Sequence, residues 1–214
     1  MIRENQMVLD HLRKGMFPPD HKLDQICWTY EKCSEDDKNR RYLVASQVKA
    51  IKFEKLTEWI CQTGRQSVDS MTFTDRNIVL IEFKAGDRTR HGKTKKKLIE
   101  DVIGKINDSE TTVFRDIISG IENLDESVIR IGFYLVVDAE EMGIDSRTAV
   151  LLKLAQGSSL LPNDKIEYLM NRLLPDLKKS ADHPEHFSEI DIWYANIFNT
   201  YLDEYGIKDI MELH

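Results

Sequence analysis

Residues 67–84 read SVDSMTFTDRNIVLIEFK. Ser67 to Thr74 alternates polar and apolar side chains, and Ile78 to Ile81 is an unbroken apolar run that ends in Glu82, Phe83 and Lys84. Asp75, Arg76 and Asn77 between them are turn chemistry. The pattern predicts a β-hairpin. A two-residue turn at Asp75 and Arg76 places Asp69 opposite Glu82, on one face and about 5 Å apart at Cβ. Lys84, two residues further on, joins that face. Were Asn77 part of the loop, the register would slip by one and Asp69 would face away.

Two carboxylates and a lysine on one face carry chemistry. Adjacent carboxylates repel, so one protonates unless a cation lies between them. Oxygen ligands of this kind suit Mg²⁺ or Mn²⁺. A lysine beside them can orient a water and stabilise charge developing on a phosphate. A third carboxylate, Glu54 or Glu58, is expected from the preceding helix.

That helix is expected to be long. Ser34 with Asp37 resembles a capping box, and Gly64 would stop the helix near Thr63. Ala45, Val48, Leu56 and Trp59 share one face at 100° per residue. Upstream, residues 2–14 predict an amphipathic helix ending at Gly15, and Asp20 could cap a second helix bearing Leu23, Ile26, Cys27 and Tyr30. Downstream, Leu98, Ile99, Val102, Ile103 and Ile106 predict a helix begun by Thr94. Residues 127–138, SVIRIGFYLVVD, predict a strand buried on both faces. Residues 146–214 read as helices. The chain is thus expected to be α/β, a small mixed sheet flanked by helices. One domain is expected over residues 1–214, with an N-terminal helical segment (1–33), a core (34–138) and a mainly helical C-terminal part (139–214).

The order of helix with Glu, strand with Asp, strand with Glu-x-Lys, helix and strand, from Glu54 to Val137, resembles the core of the PD-(D/E)xK superfamily of restriction-endonuclease-like nucleases. Val68 stands where the motif has proline. The resemblance implies that Asp69 and Glu82 are metal ligands, with the Phe83 carbonyl as a further one. It makes Lys84 the catalytic lysine and Glu54 or Glu58 the helix acid. The implied reaction is metal-dependent phosphodiester hydrolysis, on DNA rather than RNA. An inactive binding module on the same fold is the alternative.

The cations after Lys84 suit such a substrate. Arg88, Arg90, Lys93, Lys95, Lys96 and Lys97 lie within ten residues. Lysines in a first helical turn oppose the helix dipole, and a phosphate backbone there would relieve the conflict. A rival reading takes GDRTRHGKT (86–94) as a phosphate loop, with Asp138 ending a Walker B strand. Against it, five residues rather than four separate Gly86 from Gly92, and Asp138 has a simpler role as a strand-end cap. His183 and His186 could ligate a metal, although Asp182 capping a helix with Pro184 in its first turn is the simpler reading.

The net charge of −7 argues against a protein that coats nucleic acid with its whole surface. Three cysteines without a CxxC pair imply a reducing, cytoplasmic setting. No segment has the roughly 20 apolar residues of a membrane span, so no membrane partner is expected. Helices 146–214 could serve a homodimer.

Overall fold

A computed structural model describes residues 1–15, 17, 20–36, 41–61, 65–85, 92–154 and 169–213, with the backbone alone for 92–96 and Met170. The fold is mixed α/β, built on a six-stranded sheet in which Cys27–Thr29 (β1), Lys49–Lys52 (β4), Ser70–Phe73 (β5), Ile78–Lys84 (β6), Ile131–Val137 (β7) and Phe187–Tyr194 (β8) lie side by side in that order. Helix α1 (Arg3–Lys14) buries Val8, Leu9 and Leu12 and ends at Gly15, whose φ of 89° is the left-handed conformation expected there.

The next segment departs from the sequence reading. In place of a helix capped by Asp20, a 3₁₀ turn (Leu23–Ile26) leads into strand β1 (Cys27–Thr29) and the short helix α2 (Tyr30–Cys33). In place of one long helix over 34–63 come β2 (Glu35–Asp36), β3 (Arg41–Tyr42), β4 (Lys49–Lys52) and an eight-residue α3 (Phe53–Ile60). Ser34 explains the change. Its hydroxyl donates to the Glu31 carbonyl at 2.8 Å and accepts from the Leu43 and Val44 N–H groups, both at 3.2 Å, folding the chain back on itself. The β-branched Ile51 then enters strand β4, which pairs with β1 through Cys27↔Ile51.

The hairpin of β5 (Ser70–Phe73) and β6 (Ile78–Lys84) has the two-residue turn. Phe73 pairs with Ile78 and Ser70 with Ile81. The Thr74 N–H donates to the Asn77 carbonyl at 2.9 Å, and the Thr74 hydroxyl accepts from the Asn77 N–H at 3.0 Å. Strand β7 (Ile131–Val137) lies parallel to β6 and is wholly buried. Between them runs α4 (Gly92–Thr111), extended by a π-helical turn (Thr112–Ile117). It starts two residues before Thr94, so Lys96 and Lys97 stand beyond its first turn.

After β7 come α5 (Ser146–Leu154), a π-helical turn (Leu169–Leu173), α6 (Leu174–Ser180), strand β8 (Phe187–Tyr194) and α7 (Phe198–Glu204). Strand β8 corrects the all-helical reading of 146–214. It pairs parallel to β7 through Ile192↔Leu135 and Trp193↔Val136. The sheet therefore draws one edge strand from the N-terminal segment and the other from the C-terminal part.

Alternation on β6 divides its residues between two layers. Phe83 meets Tyr30 and Phe198, and Phe198 in turn meets Trp193, which stacks on Tyr201 with ring centroids 4.7 Å apart. Trp193, Tyr194, Phe198 and Tyr201 are core residues, the first two on a strand. Glu82 and Lys84 turn instead toward α4. Among the described residues no helix is long and apolar enough to cross a membrane.

Candidate metal and phosphate site at the end of β6

The hairpin register sets the site. Asp69 stands one residue before Ser70, opposite Glu82, and three contacts fix its backbone and that of the residues leading to it. The Phe53 N–H donates to the Asp69 carbonyl at 3.2 Å. On either side of the approach, the Gln66 N–H donates to Asp108 Oδ2 at 2.9 Å and the Val68 N–H to Ser109 Oγ at 3.1 Å. Helix α4 thus clamps the strand that delivers the aspartate. A Cβ at Gly104 would come within 2.7 Å of Gln66 Oε1, the mobile end of a side chain that would have to turn aside.

Asp69, Glu82, Lys84 and Phe83 line one cleft of about 260 Å³, with Lys105, Glu35 and Asp36 on its other walls. Asp69 Oδ2 accepts the Phe83 N–H at 2.7 Å. Glu82 is fully buried. Its Oε1 receives two ammonium groups, Lys84 Nζ at 2.7 Å and Lys105 Nζ at 2.8 Å. Its Oε2 is buried and has no hydrogen-bond partner among the described residues. Lys84 Nζ also meets Asp101 Oδ2 at 2.6 Å.

The charges act on one another. Burial, and then the negative charge of Glu82, push the Asp69 carboxyl from 3.8 to about 7, against the pull of Lys105, Lys52 and the Phe83 N–H. Burial alone would lower the Lys84 ammonium, but Glu82 and Asp101 outweigh it and hold its pKa above the usual lysine value. Lys105 behaves likewise under Glu82 and Asp69. A buried acid with an unshared oxygen beside a second acid that resists ionisation is an unfinished electrostatic arrangement. A further cation would complete it.

No family model, no curated protein and no solved structure matches this chain. The site is therefore read from its own chemistry.

Its donors fit a hard cation. Among the described residues no three of His, Cys, Asp and Glu gather to cage a metal. Two carboxylates, however, are what Mg²⁺ commonly takes from a protein, water and phosphate supplying the rest. Glu82 Oε2 and the Asp69 carboxyl are the oxygens on offer, beside the backbone of Phe83.

The other residues singled out from the sequence lie elsewhere. Glu54 and Glu58 do not line this cleft. They border an adjoining groove of about 350 Å³ with Thr57, Arg65, Asp101 and Lys105. There Glu54 is 3.7 Å from Lys52 and Glu58 is 2.8 Å from Lys55. Arg65, on the wall of that groove, pairs with Asp116. Arg88 and Arg90, with most of the phosphate-loop reading, lie outside the described residues, as do the side chains of Lys93, Lys95 and Lys96. Lys97 is exposed. Asp138 binds Arg41 at 2.5 Å and accepts the Glu141 N–H at 3.2 Å, the strand-end role. His183 rather than Asp182 precedes the 3₁₀ turn Pro184–His186. His186 Nδ1 lies 2.5 Å from Glu110 Oε1, and its ring stacks on Phe114.

Sequence reasoning missed Asp101 and Lys105. They stand four apart on α4, which reads as an ordinary surface ion pair. Both reach across to the Glu-x-Lys of β6 instead.

Proposed function

We propose that this protein is a Mg²⁺- or Mn²⁺-dependent nuclease of the restriction-endonuclease-like kind, hydrolysing phosphodiester bonds in nucleic acid, with DNA the expected substrate. The observation that carries the reading is Glu82 Oε2, a buried carboxylate oxygen without a hydrogen-bond partner among the described residues, beside Asp69 and Lys84 in a solvent-reached cleft. The succession α3, β5, β6, α4, β7, with Asp69 and Glu82-x-Lys84 at its centre, supports it.

In this reading Asp69, Glu82 and the Phe83 carbonyl hold the ion. A bound Mg²⁺ or Mn²⁺ supplies an acidified water and neutralises charge on the phosphate. Lys84, kept protonated by Glu82 and Asp101, orients the attacking water through an N–H donor and offsets charge developing on the phosphoryl oxygens. Asp101 holds the Lys84 ammonium in place. Cations of segment 88–97 grip the backbone, so cleavage should weaken steeply with added salt.

One observation favours the inert alternative. Lys84 is already clamped between Glu82 and Asp101, as in a purely structural charge cluster. The two readings separate in a cleavage panel on single- and double-stranded DNA and RNA with Mg²⁺, Mn²⁺ or EDTA, run beside Glu82→Gln. Metal-dependent cutting that vanishes in the variant supports the nuclease. Absence of cutting on every substrate, together with no Mn²⁺ bound, establishes the inert fold.

A further inference from the structure

We infer that Lys105 is a resident counter-cation, which holds the charge position between Asp69 and Glu82 until a divalent ion displaces it into the adjoining acidic groove. The inference rests on the metal-site reading above.

Two lysines meet Glu82 Oε1, and they are not equivalent. Lys84 is tied to two acids, Glu82 at 2.7 Å and Asp101 at 2.6 Å. Lys105 forms an ion pair with Glu82 alone among the described residues, at 2.8 Å. Its ammonium is also a principal cation acting on Asp69. Removing Lys84 from its place would take an ion-pair partner from two acids at once. Removing Lys105 strands nothing, provided another cation takes over its duty to Glu82 and Asp69.

The surroundings provide an exit. Lys105 lines both the Asp69–Glu82 cleft and the groove that holds Glu54, Glu58 and Asp101. These three carboxylates can receive a lysine ammonium swung through its four-carbon stem. The α3 acids then act on the metal site indirectly, as the docking place for the displaced lysine. Two positive charges within a few ångströms of one another repel strongly in a partly buried site. A divalent ion and the ammonium therefore compete for the same two acids.

Competition predicts an effect opposite in sign to structural damage. Mn²⁺ binding, followed by electron paramagnetic resonance of the free ion at fixed pH, should tighten about tenfold in Lys105→Met, within the usual range of site–site coupling. Lys105→Arg, which keeps the charge, should bind like the parent, and Glu82→Gln should lose binding. Should the methionine variant fail to fold by circular dichroism, Lys105→Gln replaces it with the same expectation. Unchanged or weaker Mn²⁺ binding in the neutral variants, with the parent binding normally, overturns the counter-cation role and leaves the metal site standing. Failure of the parent to bind Mn²⁺ overturns both.

Discussion

Two neighbouring parallel strands carry acids at their ends, and among the described residues only one of those acids has an oxygen without a hydrogen bond. Strand β7 runs through seven buried residues to Asp138. There one carboxylate oxygen takes Arg41 and the other takes the Glu141 N–H. Strand β6 runs through an equally apolar stretch to Glu82. There one oxygen takes two lysines and the other takes nothing among the described residues. In sequence the two ends look alike, as an apolar run followed by an acid. What separates them is the neighbour each acid meets. Asp138 has an arginine from strand β3, whereas Glu82 has Asp69, the residue just before β5, a second acid. Opposite charge closes the first site and like charge keeps the second unfinished.

The sharpest way to break the comparison is catalytic. Glu82→Gln keeps the shape and an acceptor but removes the charge, and cleavage should fall by about 10³-fold or more, as for loss of a principal electrostatic group. Lys84→Met should cost about 10²–10³-fold. Asp138→Asn should leave the rate within about twofold of the parent, because that acid is already satisfied and outside the cleft. Initial rates on one duplex substrate decide it. Equal losses at Glu82 and Asp138 would mean that both strand ends serve only the fold.

Stability sharpens the same contrast. Glu82→Ala strands Lys105 in a partly buried position and leaves Lys84 with Asp101 as its ion-pair partner. Denaturant titration without metal should show a loss of about 3–5 kcal/mol, the cost of leaving a buried charge without its partner. Asp138→Ala takes one acid from Arg41, which keeps Glu141 at 3.5 Å and whose side chain is 41% exposed and can turn to water. Its loss should be about 1 kcal/mol. The reverse order would place the structural charge cluster at β6 and the open site elsewhere.

How far the sequence could be read follows from the range of its interactions. The hairpin was legible because its determinants are local: alternation, an apolar run, and a turn closed by Thr74 only three residues from Asn77. The convergence of Asp69, Glu82 and Lys84 in one cleft followed from that register. Segment 34–63 was not legible as strands. Ala45, Val48, Leu56 and Trp59 fall at helical spacing by coincidence, and the decisive contacts are those of Ser34 with Leu43 and Val44 nine and ten residues away. Strand β8 was hidden similarly. Trp193, Tyr194, Phe198 and Tyr201 mimic a helical stripe, yet the stacking of Trp193 on Tyr134 and Tyr201 comes from a strand and a helix meeting in space. Lys105 and Asp101 needed the tertiary docking of α4 against β6, which no local pattern encodes.

The subtlest test concerns the proton on Asp69. Its carboxyl binds a proton more tightly when folded, at about 7, than its ordinary value of 3.8. Below about pH 4 the group is protonated in both states and contributes no difference. Between about pH 4 and pH 7 the unfolded chain has lost that proton while the folded chain retains it, so stability falls as pH rises. Asp69→Asn removes this titration and the repulsion from Glu82, while its carbonyl still accepts the Phe83 N–H. In EDTA the variant should be more stable than the parent by about 4 kcal/mol at pH 8, with the gap closing toward pH 4. Asp138→Asn should show no such gain, since it gives up a favourable contact with Arg41. With millimolar Mn²⁺ at pH 8 the order should invert, because the ion stabilises only a protein able to bind it. A variant less stable than the parent in EDTA would mean that Asp69 is held ionised by its neighbouring lysines, and that the β6 end is as fully satisfied as the β7 end.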